Sequence, residues 1–77
     1  MSIKVYWREH CSQCKSVIEY FEEKKLPVDT IDVTYDQDKF QEMLSLGGIA
    51  TPLIVIGEHV IHSFDRQKLD RMLEGVH

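Results

Sequence analysis

The chain has 77 residues, 43% of them hydrophobic, with a formal net charge of −4, which allows one domain (residues 1–77) around one core and leaves no room for a second. Two cysteines are too few for a secreted disulfide scaffold, no apolar run approaches a membrane span, and the start Met1-Ser2-Ile3-Lys4-Val5-Tyr6 lacks the basic, then apolar, pattern of an export signal. The acidic balance, without a basic stripe, argues against a nucleic-acid partner; a monomer in the reducing cytoplasm, away from membranes, is the expected setting.

In chain order, Ile3–Trp7 alternates as a strand does, with β-favouring Ile3, Val5, Tyr6 and Trp7. From Ser12 to Lys25 the positions Cys14, Val17, Ile18 and Phe21 follow a helical spacing, and Pro27 prevents continuation. Val28–Val33 reads as a second strand. Asp36 or Asp38 caps a second helix with Phe40, Met43 and Leu44 inward, ending at Gly47-Gly48. Leu53–Ile56 is a continuous apolar run, as a central strand covered on both faces requires. Gly57-Glu58 reads as a hairpin turn into His59–His62, a more polar edge strand. Ser63 or Asp65 then caps a last helix with Leu69, Met72, Leu73 and Val76 inward. The order βαβαββα, with a parallel right-handed crossover and a hairpin, predicts an α/β fold: a four-stranded mixed sheet with helices on both faces.

Cys11-Ser12-Gln13-Cys14 carries the chemistry. A Cys-x-x-Cys at a strand-to-helix junction suits reversible dithiol–disulfide exchange. The helix N-terminus favours a thiolate on Cys11. Cys14, one turn on, is placed to attack a mixed disulfide formed by Cys11. The competing use is metal binding, with His10, His59 and His62 completing a zinc set, but their spacing fits no compact zinc module. Arg8, Lys15 and His10 favour the thiolate and Glu9 opposes it; the plain alternative for Arg8 and Lys15 is a solvated surface charge. Pro52 can simply start a strand, and Asp65 can simply cap a helix. Trp7, Tyr6, Phe21 and Phe40 read as core or sheet-face residues.

The Cys11–Cys14 motif, the element order and Thr51-Pro52 ahead of a buried strand together resemble the glutaredoxin family, the smallest version of the thioredoxin fold, from Ile3 to about Leu73. The resemblance implies a thiol–disulfide oxidoreductase with Cys11 and Cys14 catalytic, acting on protein or glutathione mixed disulfides, without a tightly bound cofactor and with glutathione as co-substrate. It further implies a cis Thr51–Pro52 bond beside Cys11, a substrate-pairing role for Thr51, and contacts from Arg8 and Asp65 to the ligand's carboxylate and amine. One departure stands out: the family's Gly-Gly-Cys-Asp is here His62-Ser63-Phe64-Asp65. Ser63-Phe64 and Gln13-Cys14 look instead like NrdH-type redoxins, which take electrons from thioredoxin reductase. A binding module for metal or a [2Fe–2S] cluster is the alternative from another class; the intact second cysteine argues against it.

Overall fold

The computed structural model describes residues 2–74. Its elements are β1 (Ile3–Trp7), α1 (Ser12–Glu23), β2 (Asp29–Asp32), α2 (Gln37–Ser45), β3 (Leu53–Ile56), β4 (His59–Ile61) and α3 (Arg66–Glu74). The sheet order is β2-β1-β3-β4. β1 runs parallel to β2, with Val5 opposite Thr30, and antiparallel to β3, with Val5 opposite Ile54. β1 and β3 are therefore interior strands, which is why Leu53–Ile56 can be apolar throughout. The outer strands are shorter than the sequence pattern suggested, and β2 exposes Asp29, Thr30 and Asp32.

Strand alternation divides the core between the two faces of the sheet. Ile3 and Val5 of β1, with Ile54 and Ile56, meet Val17, Tyr20 and Phe21 of α1 and Leu69 of α3. Tyr6 and Leu53 point the other way, against Met43 of α2. Asp36 caps α2 by accepting from the Lys39 N–H at 3.1 Å, and Asp65 caps α3 by accepting from Lys68 at 3.1 Å. At the end of α2 the Gly48 N–H donates to the Met43 carbonyl and the Gly47 N–H to that of Leu44. This closure needs the left-handed φ of 92° that Gly47 adopts. Gly48 lies directly on the core: a Cβ there would stand 2.6 Å from Leu53 Cδ2.

Two expectations are corrected, those for Leu44 and for the end of α1, while Ile18 packs against the core as expected. Leu44 was expected inward but is 37% exposed, because only Phe40 and Met43 of α2 reach the sheet. Ile18 is half-buried, and Tyr20 takes the deeper place beside Phe21. Helix α1 stops at Glu23, and Lys25 takes a left-handed φ of 57° before Pro27. Met72 and Leu73 pack on the core as expected; Val76 lies outside the described residues.

Tyr20 also ties α1 to α3. Its buried hydroxyl donates to Asp70 Oδ1 at 2.5 Å, Phe64 packs edge-on against its ring, and the Arg66 guanidinium lies 5.2 Å from the ring centre while pairing with Glu23 at 3.1 Å. Burial, and then the bond to Asp70, push the Tyr20 pKa well above the phenolic range. The same bond, aided by Lys24 and Arg66, holds the Asp70 carboxyl below its ordinary value.

Candidate active site

The segment linking β1 to α1 is held from two sides. The Glu9 N–H donates to Thr34 Oγ1 at 2.8 Å, and the Thr34 N–H donates to Asp32 Oδ1 at 2.9 Å, so the end of β2 fixes the approach to α1. Thr34, through its side chain and its N–H, holds the Asp32 carboxyl below its ordinary value. His10 then turns the chain through a left-handed φ of 61°, a conformation that costs a non-glycine residue about 1–2 kcal/mol. That turn delivers Cys11 in extended conformation as the N-cap of α1.

Capping by a cysteine gives its sulfur an electronic role. Cys11 Sγ accepts from the Cys14 N–H at 3.2 Å, where the free N–H groups of the helix start point. The first turn of α1 carries no acidic side chain, so no carboxylate of that turn competes for its positive end. Cys11 and Cys14 are joined as a disulfide, with Cα atoms 5.3 Å apart. The two differ in access. Cys14 is 1% exposed on the core face of α1, whereas Cys11 is half-buried and lines the surface grooves.

Two grooves meet at Cys11. One, of about 560 Å³, is polar: Thr51, His62 and Ser63 form one wall and His10, Ser12 and Gln13 the other. The second, of about 720 Å³, runs along α1 between Trp7 and Ile18 and reaches both cysteines. Arg8 borders both, and also a third hollow of about 380 Å³ by Tyr35 and Phe40. Its guanidinium lies 5.4 Å from the Phe40 ring centre, within cation–π range, while the residue stays exposed.

Arg8 and Thr51 are thus gathered around Cys11. The Thr51–Pro52 peptide bond is cis, as the resemblance implied, and Pro52 is buried. Asp65 is occupied in capping α3 and lines none of these three grooves. Among the described residues no group of three or more His, Cys, Asp or Glu side chains is arranged to hold a metal ion, and His10, His59 and His62 are not gathered with the cysteines into one. Sequence reasoning left Trp7 as a plain sheet-face residue and passed over Ile18, Glu19 and Glu22 as groove walls. The signal was present in the spacing: Lys15, Ile18, Glu19 and Glu22 share one flank of α1, and Trp7 shares the α1 face of β1 with Ile3 and Val5.

No curated protein matches the chain in sequence. Among solved structures it is similar to the thioredoxin-like protein BC3987, with a TM-score of 0.85 at 26% identity over 92% of this chain and 99% of that one. The fold is shared with the glutaredoxin-like protein NrdH-redoxin from Escherichia coli, at TM-score 0.82, 21% identity and 94% and 95% coverage. It is shared too with the glutaredoxin grx-1 from Archaeoglobus fulgidus, at TM-score 0.80, 19% identity and 96% and 87% coverage. The family model for glutaredoxin matches residues 3–61, a span that holds the sheet, α1, α2, both cysteines and the cis proline. The chain belongs to the glutaredoxin family.

Proposed function

We propose that the protein reduces protein or glutathione mixed disulfides in the cytoplasm through a Cys11–Cys14 dithiol. The observation that carries this reading is the unequal placement of the two sulfurs: Cys11 caps α1 at the meeting of two grooves, and Cys14 lies buried one turn behind it. The Cys11 thiolate attacks one sulfur of the substrate disulfide. The substrate S–S bond breaks, and the departing thiolate takes a proton. The Cys14 thiolate then attacks Cys11 Sγ, the second substrate thiol leaves, and the two electrons passed to the substrate leave a Cys11–Cys14 disulfide. A helix N-terminus that already donates to Sγ needs no reorganisation as charge develops there. Thr51 pairs with the extended substrate, and Arg8 attracts its anionic end.

A specific observation favours a second reading for the electron donor. His62 and Ser63 line the polar groove beside Cys11, where glutathione-using relatives have two glycines. Two added side chains there weaken the fit of a tripeptide and leave a protein donor of the thioredoxin reductase type less affected. The test is NADPH consumption with a disulfide substrate, comparing glutathione plus glutathione reductase with thioredoxin reductase alone. Turnover in the first mixture supports a glutathione-linked protein; turnover confined to the second assigns the flavoprotein donor. No turnover in either, with both thiols reducible, overturns the oxidoreductase reading.

A further inference from the structure

Beyond Arg8, Cys11 and Cys14, the larger groove has no part in the exchange described above. Its floor is apolar, from the half-buried Trp7 and Ile18, and its rim carries the carboxylates of Glu9, Glu19 and Glu22. Among the described residues none of these three takes part in a salt bridge, whereas Glu23, Glu42 and Asp70 each do. The Glu9 carboxylate accepts a hydrogen bond from the Tyr35 hydroxyl at 3.4 Å. Two cations also border the groove. Arg8 is held over Phe40 on the opposite face of the sheet, and Lys15 stands at the Cys11 end, one turn into α1. The groove thus carries both signs at its Cys11 end, Lys15 and Glu9, and only the carboxylates of Glu19 and Glu22 farther along α1.

We propose that this groove is a second substrate subsite. It takes an extended protein segment whose apolar side chain rests on Trp7 and Ile18 and whose lysine or arginine reaches Glu19 and Glu22. The helix sets the spacing. Glu19 and Glu22 lie roughly 12–16 Å along α1 from Cys11 at about 1.5 Å per residue. An extended chain covers that distance in about four to five residues at roughly 3.3 Å each. The preferred substrate thus carries a basic residue four or five positions from its reactive cysteine, with an apolar residue between. This specificity rests on Cys11 being the attacking sulfur, but occupation of the groove does not.

Trp7 is the one tryptophan in the chain, so groove occupation is read directly from its fluorescence. Unreactive peptides, with serine in place of the cysteine, carry lysine or glutamate at the fourth and fifth positions and are titrated into the Cys11→Ser/Cys14→Ser protein. The same sequences, with cysteine in mixed disulfide with an aromatic thiol, serve as substrates for the native protein. Lysine peptides should bind more tightly than glutamate peptides, with an advantage that shrinks as salt is raised. Glu19→Gln/Glu22→Gln should weaken lysine-peptide binding and raise its KM by about three- to tenfold, the scale of two exposed ion pairs. It should leave kcat, and the reduction of a small uncharged disulfide, unchanged. Equal binding of the two peptides, or a KM ratio unmoved by the double substitution, overturns the subsite. Charge-dependent binding without any disulfide reduction would instead remove the catalytic reading and leave the groove assigned.

Discussion

Gly48→Ala tests the packing that seats the segment beside Cys11. The added methyl would lie 2.6 Å from Leu53 Cδ2 and 3.0 Å from both Leu53 Cδ1 and Met43 Cγ. Leu53 and Met43 are both 0% exposed, so neither can swing into solvent. Overpacking of this kind costs about 1–3 kcal/mol, offset by about 0.4–1 kcal/mol from the stiffer unfolded chain. A net loss of about 1–2 kcal/mol lowers Tm by roughly 5–15 °C in a domain of this size. Leu53→Val, which shortens the obstructing side chain, should cost about 1 kcal/mol alone, yet relieve the Gly48→Ala clash when combined with it. The coupling should favour the double variant by about 1 kcal/mol. Gly47→Ala is the control: nothing lies within 4 Å of a Cβ there, but φ is +92°, so its cost is backbone strain and should add to that of Leu53→Val without coupling. Thermal and urea unfolding of these single and double variants measures all of this. A Tm for Gly48→Ala at or above that of the native chain, or strict additivity with Leu53→Val, would refute the reasoning.

Cys11→Ser should abolish disulfide reduction, whereas Cys14→Ser should retain one-step attack and accumulate a mixed disulfide on Cys11, read by mass spectrometry after exposure to substrate. Because the folded Tyr20 pKa is raised above 10.0, its contribution to stability is complete below that pH and is lost as pH rises through the folded value. Tyr20→Phe should cost about 1 kcal/mol at neutral pH and show a smaller alkaline decline in urea midpoint than the native chain. Asp70, with its folded pKa below 3.8, contributes in the opposite sense, fully above the unfolded value and less as acid protonates it; Asp70→Asn should flatten the acid limb of the same measurement. Asp36→Ala should cost about 1 kcal/mol through loss of the α2 cap, with disulfide reduction unaffected at temperatures where the variant is folded.

What could be read from the chain was local. A Cys-x-x-Cys spans one helical turn whatever the rest of the fold does, and Leu53–Ile56 declares an interior strand by having no polar face. Asp36 and Asp65 stand where helix-capping residues stand, and both cap. The contacts that were missed join residues distant in sequence. Tyr20 is separated from Asp70 by 50 positions, so its burial could not be inferred from a helix whose spacing already offered Ile18. Arg8 reaches Phe40 because strand parity, continued past Trp7, places it with Lys4 and Tyr6 on the α2 side. The parity was visible; the helix waiting on that side was a tertiary fact. The same holds for the grooves at Cys11, whose walls come from separate parts of the chain.

The outer strand β2 has a consequence for how copies of the protein behave toward one another. Its open edge offers backbone groups to any passing strand, and its sequence is Asp29-Thr30-Ile31-Asp32. Two such edges meeting antiparallel about their centres would set Asp29 of each against Asp32 of the other, and like charges directly opposite are repelled. A parallel, in-register meeting stacks each aspartate on its own copy. Either way the β2 edge rejects its own kind, so this side of the sheet does not template pairing between copies of the chain.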